Sequence, residues 1–326
     1  MGCGSGALDR EGRLASVDQC RGFALLAMLF GNFMGKYSFM PWALTHHPHG
    51  FSLNETIAPL FFFLVGMSYR GAFLRRMAVD GAGGARRYAL RRYLLIFGVG
   101  LVAYLDHFWD ALTHIGMGGL ICLPFMHRGA RGRLFAAAGF LALYQALFMA
   151  TGYGEWVMAR PLNGGPLGAL SWAAIIMAGT IVWDMLSVLP KNRAPQVFLF
   201  FGLLLIGAGW LLSLGWGGWK EPWPFTRYGM TAPLPVAATG IAVIVYDFFL
   251  VRCDGQGFRF PLLSPLGRNA LLLYAVMGGF VGLERCMTRF LGEPSPAAAF
   301  GLLLGAAALL CAAAVFLDRK NILFRF

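Results

Sequence analysis

Residues 13–32 read RLASVDQCRGFALLAMLFGN, and residues 46–68 read HHPHGFSLNETIAPLFFFLVGMS. In each, a polar approach runs straight into an apolar stretch of membrane length. A helix rises about 1.5 Å per residue, so some 17–25 apolar residues cross a hydrocarbon core about 30 Å thick. Stretches of that length recur at 22–40, 55–73, 91–107, 111–126, 134–151, 168–188, 196–215, 232–250, 268–285 and 297–317. The pattern predicts an all-α, polytopic integral membrane bundle of about ten transmembrane helices. Composition points the same way: of 326 residues 58% are hydrophobic and 13% charged, with a mean hydropathy of +0.63, far from a soluble domain.

The net charge of +12 raises the question of nucleic acid, but the basic residues stand in short clusters between apolar runs. That is the signature of membrane topology, so no nucleic-acid partner is expected. Alternate connections divide the 27 Lys and Arg residues into 21 on one side and 6 on the other. The rich side includes Arg21, the seven arginines from Arg70 to Arg92, Arg268 and Arg319; the poor side includes Lys36, Arg160 and Arg289. Positive residues stay inside, which predicts cytoplasmic termini and membrane lipid headgroups as partners of the arginine pairs. Residues 1–21 read as a cytoplasmic N-terminal segment and 22–326 as a single transmembrane domain, with the first apolar run retained rather than cleaved. The six cysteines are scattered without a CxxC pair, so neither a disulfide framework nor a metal site is expected. No fixed-period or inverted repeat is visible. Trp216, Trp219 and Trp223 fit an interfacial belt or a platform for a sugar ring.

Polar residues inside or beside the apolar runs carry the chemical interest. Asn32 lies eleven residues past Arg21, roughly 16 Å along a helix and close to the midplane if Arg21 marks the interface. An amide there either ties helices together or lines a polar cavity. His46, His47 and His49 crowd the loop that precedes the second run, and histidine is the side chain best suited to taking and returning a proton near neutral pH. Glu55 stands at the start of that run, with Asn54 before it and Pro59 after it. It serves either as an acid favoured by the helix N-terminus or as the carboxylate that orients a histidine, as in a catalytic triad. SPLGRNALLLY at 264–274 places Arg268 and Asn269 at a helix start, where positive-inside anchoring competes with phosphate contact.

These residues, in this order, carry a resemblance. RLASVDQCRG, Asn32, GKY at 35–37, the histidine loop, His49–Gly50, a helix-start acid, Pro59, FFFLVGMS, and later LGRNALLLY together resemble the heparan-alpha-glucosaminide N-acetyltransferase family of transmembrane acyltransferases. The likeness is specific over residues 13–70 and returns at LTHIGM (112–117) and 261–274. It implies an enzyme that takes an acetyl (acyl) group from cytoplasmic acetyl-CoA and delivers it to a sugar or glycan acceptor on the external or periplasmic side. The family's Asn matches Asn32. Its His falls just before an HG element; an ungapped alignment puts Thr45 there with His46 adjacent, Pro48 replaces the usual Trp, and His46, His47 and His49 all remain open. Glu55 stands where the family carries Asp.

The resemblance further implies that Arg21, Arg268 with Asn269, and Arg70 hold the nucleotide phosphates of acyl-CoA. Asn32 would polarise the thioester, and a histidine backed by Glu55 would deprotonate the acceptor. A bacterial inner (cytoplasmic) membrane is the expected location, and a homodimer stays open. The competing class is a transporter or flippase of a small glycan or lipid that moves substrate without acyl transfer.

Overall fold

The computed structural model describes residues 14–47, 49–103, 108–160, 163–214 and 223–324. The N-terminal segment 1–13, Pro48, Trp216 and Trp219 lie outside the described residues. The described chain is helical, and seven of its helices are long and apolar enough to cross a membrane; no β-strand forms among the described residues. This is the polytopic all-α architecture the apolar runs predict. The chain groups into two units. The first comprises Met1–His46, Ser52–Ile57 and Val245–Arg325, and the second His47–Phe51 and Ala58–Ile244.

In the first unit α1 (Ala15–Met34) starts seven residues ahead of the apolar run that announces it. The reason is tertiary, because its polar first turns are buried and partnered. Gln19 donates to the Phe260 carbonyl at 3.1 Å and to Ser264 Oγ at 2.6 Å, and accepts from the Phe260 N–H at 3.0 Å. Ser16 meets Tyr246 and Asp254. Buried polar groups hold their place only when so satisfied. α1 packs against the short α9 (Leu263–Arg268), α10 (Ala270–Leu291) and α11 (Pro296–Arg319). A Cβ on Gly267 would fall 1.7 Å from the Asp18 carbonyl and one on Gly22 2.1 Å from the Leu263 carbonyl, so only glycine permits this backbone approach. α11 begins with Ser295 capping the Ala298 N–H at 3.3 Å and Pro296 in the first turn, the pairing helix starts favour.

The second unit contains most of α2 (Ile57–Ala103), then α3 (Ala111–Cys122), α4 (Ala130–Ala150), α5 (Tyr153–Met158), α6 (Gly165–Val188), α7 (Ala194–Ser213) and most of α8 (Pro233–Phe249). The apolar runs 55–73 and 91–107, as far as 57–73 and 91–103, are thus arms of one long helix, interrupted where Gly81 adopts φ 70°, ψ 179°, and 104–107 lie outside the described residues. α3 has 12 residues, shorter than the run 111–126, and passes into a 3-10 turn at Leu123–Phe125. Asp184 on α6 receives two parallel bonds from Arg70 on α2, at 2.8 and 2.9 Å, and a third from the fully buried Arg133 on α4. α7 turns Leu199, Phe200, Leu203, Leu204 and Trp210 outward. A soluble protein does not expose such a stripe, whereas lipid accommodates it.

Candidate active site

The loop after α1 is stitched down by its own backbone. Gly35 N–H closes α1 on the Gly31 carbonyl at 2.9 Å, and the Gly35 carbonyl then accepts the His46 N–H at 2.8 Å. Further along, Leu53 N–H donates to Ala43 O at 3.0 Å and Ser52 Oγ to Thr45 O at 3.0 Å. A 3-10 turn at Asn54–Thr56, wholly buried, leads into α2. Pro59 falls in the first turn of that helix, where its missing N–H costs nothing.

This stitching brings His46 and Glu55 together. His46 Nδ1 lies 3.1 Å from Glu55 Oε1, with the carboxylate side chain only 2% exposed and the imidazole 28%. An ionised carboxylate can only accept, so against it the His46 ring is the donor, through Nδ1. Asn54 supplies the floor. Its Oδ1 lies 2.2 Å from where a Cβ on Gly31 would stand, and its Nδ2 2.4 Å from one on Gly35; the His46 ring comes within 3.1 Å of the latter position. The two glycines, one turn apart, make a flat face on α1 that the amide and the imidazole share. Asn32 follows Gly31 on that turn, half-buried, with no hydrogen-bond partner for its amide among the described residues.

Beside this loop a second cluster gathers on α10. Glu284, 3% exposed, accepts from Lys36 Nζ and from the Tyr37 hydroxyl. Thr288 Oγ1 lies 3.0 Å from the same carboxylate. The Tyr37 hydroxyl, itself buried, is the donor in its bond to the carboxylate.

The remaining predicted residues are distributed differently. His47 is half-buried, and the exposed His49 belongs to the second unit, where it forms an isolated bridge with Thr226. Arg21 meets Asp18 at 3.2 Å, and Arg268 meets Asp318 at 2.6 Å. Each arginine is the sequence neighbour of a glycine in the α1–α9 contact, Arg21 of Gly22 and Arg268 of Gly267. Asn269 is spent on the chain end, donating to Ile322 O at 2.9 Å and accepting from Phe324 N–H at 3.0 Å. Arg70 in the second unit is engaged by Asp184 and the Met126 carbonyl. Gly66 packs with its Cβ position 2.0 Å from the Ile176 carbonyl.

A family model described as heparan-alpha-glucosaminide N-acetyltransferase, catalytic, matches residues 13–190, more than half of the chain. The chain belongs to that family. Among curated proteins it is similar to one from Bacillus acidopullulyticus, described as an uncharacterized 39.9 kDa protein in the amylase 3′ region. The two are 32% identical over 151 residues, which is 44% of this chain and 42% of that protein; the chain therefore spans less than half the length of that relative. The segment matching the acetyltransferase family holds Asn32, His46, Glu55 and Arg70, while Glu284, Arg268 and Asn269 lie beyond it.

Two participants escape a reading of sequence alone. Asn54 looks like a helix cap, yet its side chain is the wedge between α1 and the histidine loop. Glu284 sits within the apolar helix FVGLERCMTRF. A carboxylate inside a spanning segment needs a partner, and that signal was available; its partners, Lys36 and Tyr37, are some 250 residues away and were not.

Proposed function

We propose that this chain is a membrane-embedded acetyltransferase that moves an acetyl group from cytoplasmic acetyl-CoA to a sugar or glycan amine or hydroxyl on the external side of a bacterial cytoplasmic membrane. The observation that carries the reading is the His46–Glu55 pair, 3.1 Å apart, within the segment that matches the acetyltransferase family and with the His46 ring set against Gly35, three residues past Asn32 in sequence. The likeness to a Bacillus protein supports the bacterial location.

In this reaction His46 Nε2 removes the proton of the acceptor as its nitrogen or oxygen attacks the thioester carbonyl carbon. Glu55 holds the tautomer and stabilises the imidazolium that forms. The Asn32 amide donates to the carbonyl oxygen as it gains negative charge. The C–S bond then breaks, and the CoA thiolate leaves with the proton that His46 returns. Arg21 and Arg268, sequence neighbours of the glycines in the α1–α9 contact, are assigned to the donor phosphates, with charge-assisted bonds as the attraction. Asn269 supports that end through the chain-end partners it already holds, while Arg70 is held by Asp184 and the Met126 carbonyl within the second unit.

The test is turnover of radiolabelled acetyl-CoA by purified protein in lipid nanodiscs with a pool of envelope sugars. Native protein should place label on a sugar. His46→Ala should lose about 10²–10⁴-fold and Asn32→Ala about 10²–10³-fold, with His49→Ala near native. Full transfer by His46→Ala together with none by His49→Ala would overturn the assignment of the base. A folded protein that neither binds acetyl-CoA nor releases CoA would move the function to transport.

A further inference from the structure

The histidine loop is fastened to the end of α1 at Gly35, with the Asn54 wedge reaching back to Gly31. The Gly35 carbonyl holds the His46 N–H at 2.8 Å, and its Cα faces both the His46 ring and the Asn54 amide. Gly35 lies just past the end of α1, its N–H closing on the Gly31 carbonyl at 2.9 Å, and the turn that follows is held in its backbone by Tyr37 N–H to Met34 O and Met40 N–H to Tyr37 O, both at 3.1 Å. Side chains hold it as well. The next two side chains, Lys36 and Tyr37, both close on one buried carboxylate, Glu284, which Thr288 also contacts one turn along α10. Glu284 lies seven residues before the end of α10, about 10 Å into the helix. A carboxylate so placed is expensive unless its hydrogen-bonding capacity is used. Three donors from two elements use it, and in doing so tie α10 to the turn that seats His46.

We infer that Glu284 is a positioning residue for acetyl transfer: through Lys36 and Tyr37 it fixes the Gly35 carbonyl and so the placement of the His46 imidazole. This rests on the reading of His46 as the base. Glu284 itself touches no reacting atom, so its loss should lower the rate of transfer without weakening either substrate. A misplacement of about 1 Å can cost some 10²-fold in rate.

The experiment compares Glu284→Ala, Glu284→Gln and Lys36→Met in nanodiscs, measuring kcat, KM for acetyl-CoA and amide hydrogen exchange. Glu284→Ala should lower kcat on the order of 10²-fold with KM within about twofold. Glu284→Gln, which still accepts from Tyr37 and Thr288, should recover a large part of that loss. The His46 amide should exchange faster in Glu284→Ala, while α1 and α10 keep their protection. If Glu284→Ala misfolds, Lys36→Met carries the test, since it releases the exposed end of the clamp and should give the same split at smaller amplitude. Unchanged kcat in all three variants, or a loss confined to KM, overturns the inference. If His46→Ala also transfers normally, the assignment of the base has failed; if His46→Ala is inactive and the Glu284 variants are normal, only the clamp has.

Discussion

At the scale of single residues the site is governed by which proton sits where. Glu55 can only accept while ionised, and it faces Nδ1 of His46 at 3.1 Å, so Nε2 is the ring nitrogen left for chemistry. Glu55→Gln keeps the volume but replaces an obligatory acceptor with a group that donates equally well. The tautomer is then no longer imposed. The corresponding change in a triad costs about 10⁴-fold in kcat. We expect Glu55→Gln to lower kcat by about 10²–10⁴-fold with little change in KM for acetyl-CoA, read from initial rates in nanodiscs. A drop limited to protein yield, with full activity per folded molecule, would reduce Glu55 to a structural acid. Asn32 poses the complementary case: it is an amide on a largely apolar helix with no partner among the described residues, which suits a group reserved for a transient oxyanion.

At the scale of elements, charged residues in the second unit act as rivets. Asp184 on α6 holds Arg70 of α2 and the fully buried Arg133 of α4. Two cations on one anion are tolerable because Arg70 and Arg133 also donate to the Met126 and Arg128 carbonyls. Removing the anion strands Arg133 in a medium that cannot solvate it, a loss of about 3–5 kcal/mol for a broken buried pair. Asp184→Ala should therefore lower the temperature of half-unfolding in detergent markedly, and Asp184→Asn less so. Equal stability of Asp184→Ala and native protein would mean that these arginines reach water or lipid headgroups instead. The same network explains why a motif-level expectation of phosphate binding at Arg70 meets a side chain that is already occupied.

At the scale of the whole molecule, the asymmetry of 21 against 6 basic residues is the feature from which an orientation in the membrane is predicted. It predicts cytoplasmic chain ends, with Arg160 and the loop containing His46 on the far face. The check is labelling of intact cells with a membrane-impermeant maleimide, in a background whose six cysteines are replaced by alanine. Arg160→Cys should label in intact cells and Arg319→Cys only after the membrane is opened. The reverse pattern would put the acceptor on the cytoplasmic side. With the donor made in the cytoplasm, the predicted orientation has the two substrates approach one site from opposite faces.

Sequence by itself determined the class of the molecule and singled out the polar groups that are candidates for its chemistry. Apolar runs such as 168–188 and 297–317 can be nothing but buried or lipid-facing helices, because their length and composition leave the backbone no partner other than itself. The segment from Asn32 to Glu55 likewise displayed its polar residues where a membrane helix has to account for them. Tertiary structure alone decided which of those groups meet. It joined 57–73 and 91–103 through one helix broken at Gly81, drew the start of α1 back to Ala15 by partnering Ser16 and Gln19, and set His46 against Glu55. It also brought Glu284 to Lys36 and Tyr37 from the far end of the chain. Hydropathy and periodicity record how each segment meets solvent or lipid, a local property; hydrogen bonds between residues hundreds apart depend on packing, which no local pattern encodes.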